Sequence, residues 1–127
     1  MSSLSAASAL VKAGVNARLS RILTTGRERA ADLGDAGDEL FDAAAALLAG
    51  GKRTRALLAG LGAALALEGP ERDEMLDSAL VAGTGAALEL YQASALMHDD
   101  IIDDASLRRG QPAAHRRLQA LHRDRLP

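Results

Sequence analysis

The sequence predicts an all-α fold, and three observations point there. Strand-forming residues are scarce and never alternate over a useful length. Apolar residues recur at steps of three and four through most of the chain. Glycine-containing breaks cut it into five stretches of helical length. With 127 residues, 48% of them hydrophobic and 25% charged, the chain is long enough for one domain and apolar enough for a core. Alanine and leucine must form that core, because Phe41 and Tyr91 are its only aromatic residues. Alanine buries little area, so the helices have to approach closely to gain much from packing.

The first helix is expected over about 4–29, where Leu4, Ala7, Val11, Val15, Leu19, Ile22 and Leu23 sit close to helical spacing. Met1 to Arg27 carries basic residues and no acid, a composition shared with transit peptides; the simpler reading is an exposed amphipathic helix. Gly34 and Gly37 punctuate a turn, and Asp38 and Glu39 open a second helix over 38–49, with acids at its positive end. Gly50-Gly51 stops that helix as a left-handed C-cap would. A third helix over 54–67 ends at Gly69-Pro70. The fourth, over 72–104, reads as one unbroken rod of about 48 Å. Its buried stripe is expected to be Leu76, Leu80, Gly83, Ala87, Leu90, Ser94, Met97 and Ile101, while Gln92, Asp99 and Asp103 share a second face. Gly110-Gln111-Pro112 breaks the chain before a fifth helix over 113–126. No repeat, low-complexity tract or linker interrupts this pattern, so a single helical domain over 1–127 is expected.

Composition removes several function classes. The net charge is −2, and no basic stripe is interleaved with aromatic residues, so nucleic acid is not an expected partner. The absence of cysteine excludes disulfides and thiolate metal sites and fits a cytoplasmic protein. No run approaches the ~18 uncharged apolar residues that a membrane span requires.

The chemistry concentrates at 99–109. Asp99-Asp100-Ile101-Ile102-Asp103-Asp104 closes the long apolar helix, and Arg108-Arg109-Gly110 follows almost at once. Asp99/Asp103 and Asp100/Asp104 are like-charge pairs one turn apart, each destabilising by roughly 0.2–0.5 kcal/mol. Acids at a helix C-terminus also oppose its dipole. Such a placement calls for a cation, and the adjacent guanidiniums call for an anion beside it. Mg²⁺ suits the spacing, since it takes one or two carboxylates together with waters and substrate phosphates. Asp99 and Asp103 share a face and can each give it an oxygen; Asp100 leans aside, to ligate or to support. Zinc is disfavoured, because His98 has no second histidine at zinc-motif spacing. Gly50-Gly51-Lys52-Arg53-Thr54-Arg55 adds three cations at a helix start, where anions are favoured. It is not a Walker A loop. Asp38-Glu39-x-x-Asp42 has similar acidic spacing but no arginine after it and reads as helix capping. His115 and His122 read as surface residues.

Three blocks in order, Gly50 to Arg55, Leu90 to Asp104 and Leu107 to Pro112, resemble the trans-isoprenyl diphosphate synthases, or polyprenyl synthetases. The resemblance covers nearly the whole chain but only about the first two-fifths of a typical family member. It implies the N-terminal part of the all-helical isoprenoid synthase fold, usually dimeric, with a deep apolar cavity. The implied reaction is Mg²⁺-dependent head-to-tail condensation of isopentenyl diphosphate with an allylic diphosphate. By resemblance Asp99 and Asp103 are metal ligands and Asp100 assists them. Arg108 holds the allylic diphosphate, and Lys52, Arg55, Gln92 and Arg109 hold isopentenyl diphosphate. Gln92 stands where many relatives have histidine, and Ala56 where many have proline. Tyr91, Ser94 and Ala95 fall where product length is set; small Ser94 and Ala95 suggest a geranylgeranyl-type or longer product, with Tyr91 as a floor.

The family's second aspartate-rich motif has no counterpart in this chain. The expectation is therefore an incomplete prenyltransferase, acting as a homodimer or paired with a longer synthase chain. Its alternative is a non-catalytic helical subunit of a heteromeric synthase. A class I terpene cyclase shares the acidic motif, but Lys52 and Arg55 disfavour it, because a cyclase binds no second diphosphate.

Overall fold

A computed structural model describes residues 4–125; the outermost residues of the first and fifth expected helices' flanks, 1–3 and 126–127, lie outside the described residues. The fold is all-α, with helices α1 (Leu4–Arg29), α2 (Gly34–Ala49), α3 (Thr54–Ala64), α4 (Gly69–Leu76), α5 (Ala79–Ile102) and α6 (Ala114–Arg125). A 3-10 turn, Ala31–Leu33, precedes α2. Two strands of two residues each, β1 (Leu107–Arg108) and β2 (Gln111–Pro112), pair antiparallel, with Leu107 opposite Pro112 and Arg108 opposite Gln111.

The expected fourth helix is two helices. α4 ends at Leu76, and Ser78 starts α5 by accepting a 3.2 Å hydrogen bond from the Val81 N–H on its side-chain oxygen. The apolar spacing runs through this break without a change of phase, so periodicity alone does not reveal it. The expected stripe is also rotated. Leu80, Ala87, Ser94 and Ile101 are exposed, whereas Val81, Gly85, Ala86 and Asp100 are buried. α2 begins at Gly34, earlier than expected, and Gly37 is buried within it. A Cβ on Gly37 would lie 3.1 Å from the Ala30 carbonyl oxygen, so the glycine serves close approach and not a turn. α3 ends at Ala64, before the expected 67. Gly69, at φ +54°, and Pro70 open α4 rather than close α3.

The chain divides into two compact units. The first holds residues up to Thr24 together with Gly51–Leu90. Ala7, Val11, Val15 and Leu19 form the buried face of α1 in this unit. Its packing depends on missing side chains. A Cβ on Gly60 would meet Val11 Cγ2 at 2.9 Å, and one on Gly85 would meet Val15 Cγ2 at 2.6 Å and Ala56 Cβ at 3.0 Å. Glycine and alanine thus let α1, α3 and α5 approach closely, as the alanine-rich composition requires.

The second unit holds Thr25–Gly50 and the residues from Tyr91 onward. In it α2 packs on α6, and Phe41 occupies the space above Gly26, where a Cβ would lie 2.6 Å from the ring. Ala43, Leu48 and Ala113 are buried there. Asp38 and Asp42 do not cap α2; they pair with Arg27 at 3.0 and 2.5 Å, and Glu39 pairs with Arg125 at 2.5 Å.

Candidate functional site

α5 ends by winding its last turn through a left-handed residue. Asp104, at φ +50°, donates its N–H to the Ile101 carbonyl at 3.3 Å, and Ala105 donates to the Asp100 carbonyl at 2.8 Å. This is the bond pattern of a Schellman cap, with aspartate in the place glycine usually takes. The Asp103 N–H bonds the Asp99 carbonyl at 2.8 Å, so the two carboxylates stay one helical turn apart. The chain then enters the β1–β2 hairpin. Arg109 and Gly110 form its turn with φ of +53° and +77°, as a type I′ turn demands. The hairpin folds Arg108 back toward the end of α5. Sequence reasoning found a break here and missed the hairpin, because strands of two residues leave no alternation to read.

The four carboxylates separate into two kinds. Asp100 is 4% exposed, and its two oxygens accept from Arg108, Oδ2 from Nε at 3.0 Å and Oδ1 from Nη2. Hydrogen bonding from Arg108 holds the Asp100 carboxyl below its ordinary value, against the opposing effect of burial. The same bond raises the Arg108 guanidinium, and the charges of Asp99 and Asp103 add to it. Asp104 accepts from Arg116 at 2.5 Å. Asp99 and Asp103 are exposed and, among the described residues, make no ion pair. One like-charge pair is therefore neutralised by arginines and the other is left open. Among the described residues no three histidine or acidic side chains gather as a ready-made metal site. Asp99 and Asp103 fit a hard cation whose remaining ligands come from phosphate and water.

Arg109 lies against Gly50. A Cβ on Gly50 would sit 2.9 Å from Arg109 Nη1, so the guanidinium occupies space that only glycine leaves. Both residues line a cavity of about 520 Å³ in the second unit, with Arg108, Gln111 and Arg117 also on its wall. Sequence reasoning missed Arg117. Its one signal is a positive charge in the first turns of a helix, the end where cations are disfavoured. His115 is also not the surface residue expected; it is half-buried, and both ring nitrogens are covered without a hydrogen-bond partner. Gln92 and Ala95 are half-buried on α5, whereas Ser94 and Tyr91 are exposed, Tyr91 by 75%.

The glycine-lysine-arginine block divides by role. Gly50 leaves α2 in extended backbone, not as a left-handed cap; the positive φ values fall at Gly51 (+127°) and Arg53 (+56°). Arg53 is buried and donates to Asn16 Oδ1 at 3.0 Å and Glu89 Oε2 at 3.2 Å. It is thereby part of the interior. Lys52 and Arg55 flank it and are exposed at the start of α3.

Arg53, Asp104 and Arg109 are the non-glycine residues with positive φ among the described residues, and each lies in one of the three motif blocks. Left-handed backbone costs roughly 1–2 kcal/mol at a non-glycine residue. Strain of this kind gathers where side chains must be held for function.

The family model for polyprenyl synthetase matches residues 38–121, which span α2 to α6 and all the motif blocks. The chain belongs to the polyprenyl synthetase family. Over 108 residues it is 37% identical to a nonaprenyl diphosphate synthase of Mycobacterium tuberculosis, covering 84% of this chain and 28% of the relative. It is 49% identical over 72 residues to a probable farnesyl diphosphate synthase of Bradyrhizobium diazoefficiens, covering 55% of this chain and 19% of the relative. It is also 43% identical over 66 residues to heptaprenyl diphosphate synthase component 2 of Geobacillus stearothermophilus, covering 52% of this chain and 18% of the relative. The chain thus spans between 18% and 28% of the length of these three relatives. No solved structure matches it. Among the described residues no helix is long and apolar enough to cross a membrane.

Proposed function

We propose that this polyprenyl synthetase family chain carries the first half of a two-substrate diphosphate site for head-to-tail prenyl transfer. Isopentenyl diphosphate and an allylic diphosphate are its substrates in this proposal, with a geranylgeranyl-type or longer product and a cytoplasmic setting. The observation that carries it is the sorting of the four carboxylates, with Asp100 and Asp104 tied to arginines and Asp99 and Asp103 left open. Asp99 and Asp103 would hold Mg²⁺. When bound there, the ion supplies positive charge to neutralise a departing diphosphate.

The chain's own residues do the rest of the binding. Asp100 fixes Arg108 in one orientation, so its outer N–H groups are preorganised toward phosphate oxygens. Arg109 holds the second diphosphate, with Lys52, Arg55 and Gln92 as its further ligands. Tyr91, Ser94 and Ala95 bound the prenyl tail.

Titration calorimetry with geranyl diphosphate tests this reading. Binding that requires Mg²⁺ supports it; a folded sample that binds no allylic diphosphate with Mg²⁺ present contradicts it. A second reading is favoured by the relative named as component 2 of a heptaprenyl synthase. In it the chain is a helical subunit of a heteromeric synthase, homodimeric pairing being the alternative assembly. Co-purification with a longer chain that carries the second aspartate-rich motif distinguishes the two.

A further inference from the structure

The cavity of the second unit holds a residue that the motif blocks do not contain. Arg117 lies in the first turns of α6, a helix with no acid in its first turn. A cation there opposes the positive end of the helix dipole. Its neighbour Arg116 is compensated by Asp104 at 2.5 Å, whereas Arg117 makes no ion pair among the described residues. Arg117 and Arg109 line the same cavity of about 520 Å³. Arg108, also on the wall, is paired with Asp100. Two uncompensated guanidiniums and a positive helix end therefore share one concave space, which concentrates positive potential there. The opposite lining is apolar, from Ala43, Ala46 and Leu47 of α2.

We propose that Arg117 is a further anion-binding residue, which with Arg109 grips a diphosphate whose short apolar tail lies on the α2 wall. The inference rests on the reading that Arg109 holds isopentenyl diphosphate, and it adds a contact outside the motif blocks. Two planar forks can engage the two phosphate groups of one ligand from separate elements, the hairpin turn and α6. The alanine-rich wall accepts a tail of few carbons, and it gives inorganic pyrophosphate nothing to bury.

The test is titration calorimetry on the full chain in Mg²⁺-free buffer, with isopentenyl diphosphate and, separately, inorganic pyrophosphate. Arg117→Gln is compared with Arg123→Gln, which removes the same charge from an exposed position of α6 away from this cavity. Arg117→Gln is expected to weaken isopentenyl diphosphate binding about tenfold, with the fold unchanged by circular dichroism, and Arg123→Gln to leave it within about twofold. Wild-type chain should prefer isopentenyl diphosphate over pyrophosphate by about fivefold or more. Equal affinities of Arg117→Gln and Arg123→Gln overturn the inference. If Arg109→Gln still loses affinity in that case, the reading of Arg109 stands without it. Absence of wild-type binding overturns both, and Mg²⁺-dependent geranyl diphosphate binding then decides the metal half separately.

Discussion

Asp100→Asn removes one charge from the buried pair with Arg108 and keeps the side chain's shape. Asp100 is 4% exposed, whereas the Arg108 side chain is 33% exposed. Breaking a fully buried pair costs about 3–5 kcal/mol. Here Arg108 can turn part of its guanidinium to water, so the expected loss is about 2 kcal/mol at pH 7, close to that of one charge-assisted hydrogen bond. For a chain of this size that lowers the unfolding midpoint by roughly 6–10 °C, read by circular dichroism at 222 nm. Arg108→Met should cost more, about 3 kcal/mol, because it leaves a carboxylate buried without a partner. The double variant should be more stable than the sum of the two losses predicts, by roughly 1–2 kcal/mol of coupling. The pH dependence gives an independent check. Hydrogen bonding from Arg108 holds the folded-state Asp100 carboxyl below its ordinary value, so its contribution is complete at pH values above the unfolded value. That contribution fades as pH falls through the depressed folded value, so wild type and Asp100→Asn should converge in acid. Equal stability of the two proteins at pH 7, or a gap that does not narrow in acid, would refute the pairing as a stabilising device.

Three further outcomes follow from the geometry. Arg109→Asn places the residue best suited to the first left-handed position of the hairpin turn and should raise stability by up to about 1 kcal/mol, while isopentenyl diphosphate affinity falls about tenfold; a melt and a titration of the same sample check both. Gly50→Ala puts a methyl where Arg109 Nη1 lies, so affinity should drop about fivefold with little change in the melt, because a flexible side chain can swing aside. Gly85→Ala forces a methyl against Val15 and Ala56 and should destabilise by about 1–3 kcal/mol in urea titration.

Much of this was legible in the residues, for physical reasons that also mark where legibility stops. α1 and α6 follow their apolar or charged periodicity, and the ends of α2 and α5 coincide with glycine pairs or acidic runs. The start of α5 was not legible, because one serine cap interrupts a spacing that stays in phase on both sides. Its buried face was also misjudged. α5 is apolar or small on nearly every side, so periodicity does not choose a face; Gly85 does, by admitting Val15 and Ala56. In the candidate site, the motif spacing gave the carboxylates and arginines but not their pairing. Asp100 meets Arg108 only because a four-residue hairpin turn reverses the chain, and that turn rests on two positive φ values. Arg117 escaped because it reaches the cavity through tertiary packing of α6 on α2, which no local pattern records.

The open pair, Asp99 and Asp103, is the centre of the proposed chemistry, and one titration addresses it directly. Geranyl diphosphate is added to the wild-type chain and to the Asp99→Asn/Asp103→Asn variant, each with and without Mg²⁺. Wild type should bind only with Mg²⁺, and the double variant should lose that binding while melting at least as high, since a like-charge pair has been relieved. Mg²⁺-dependent binding that survives in the double variant would contradict the assignment of these two carboxylates.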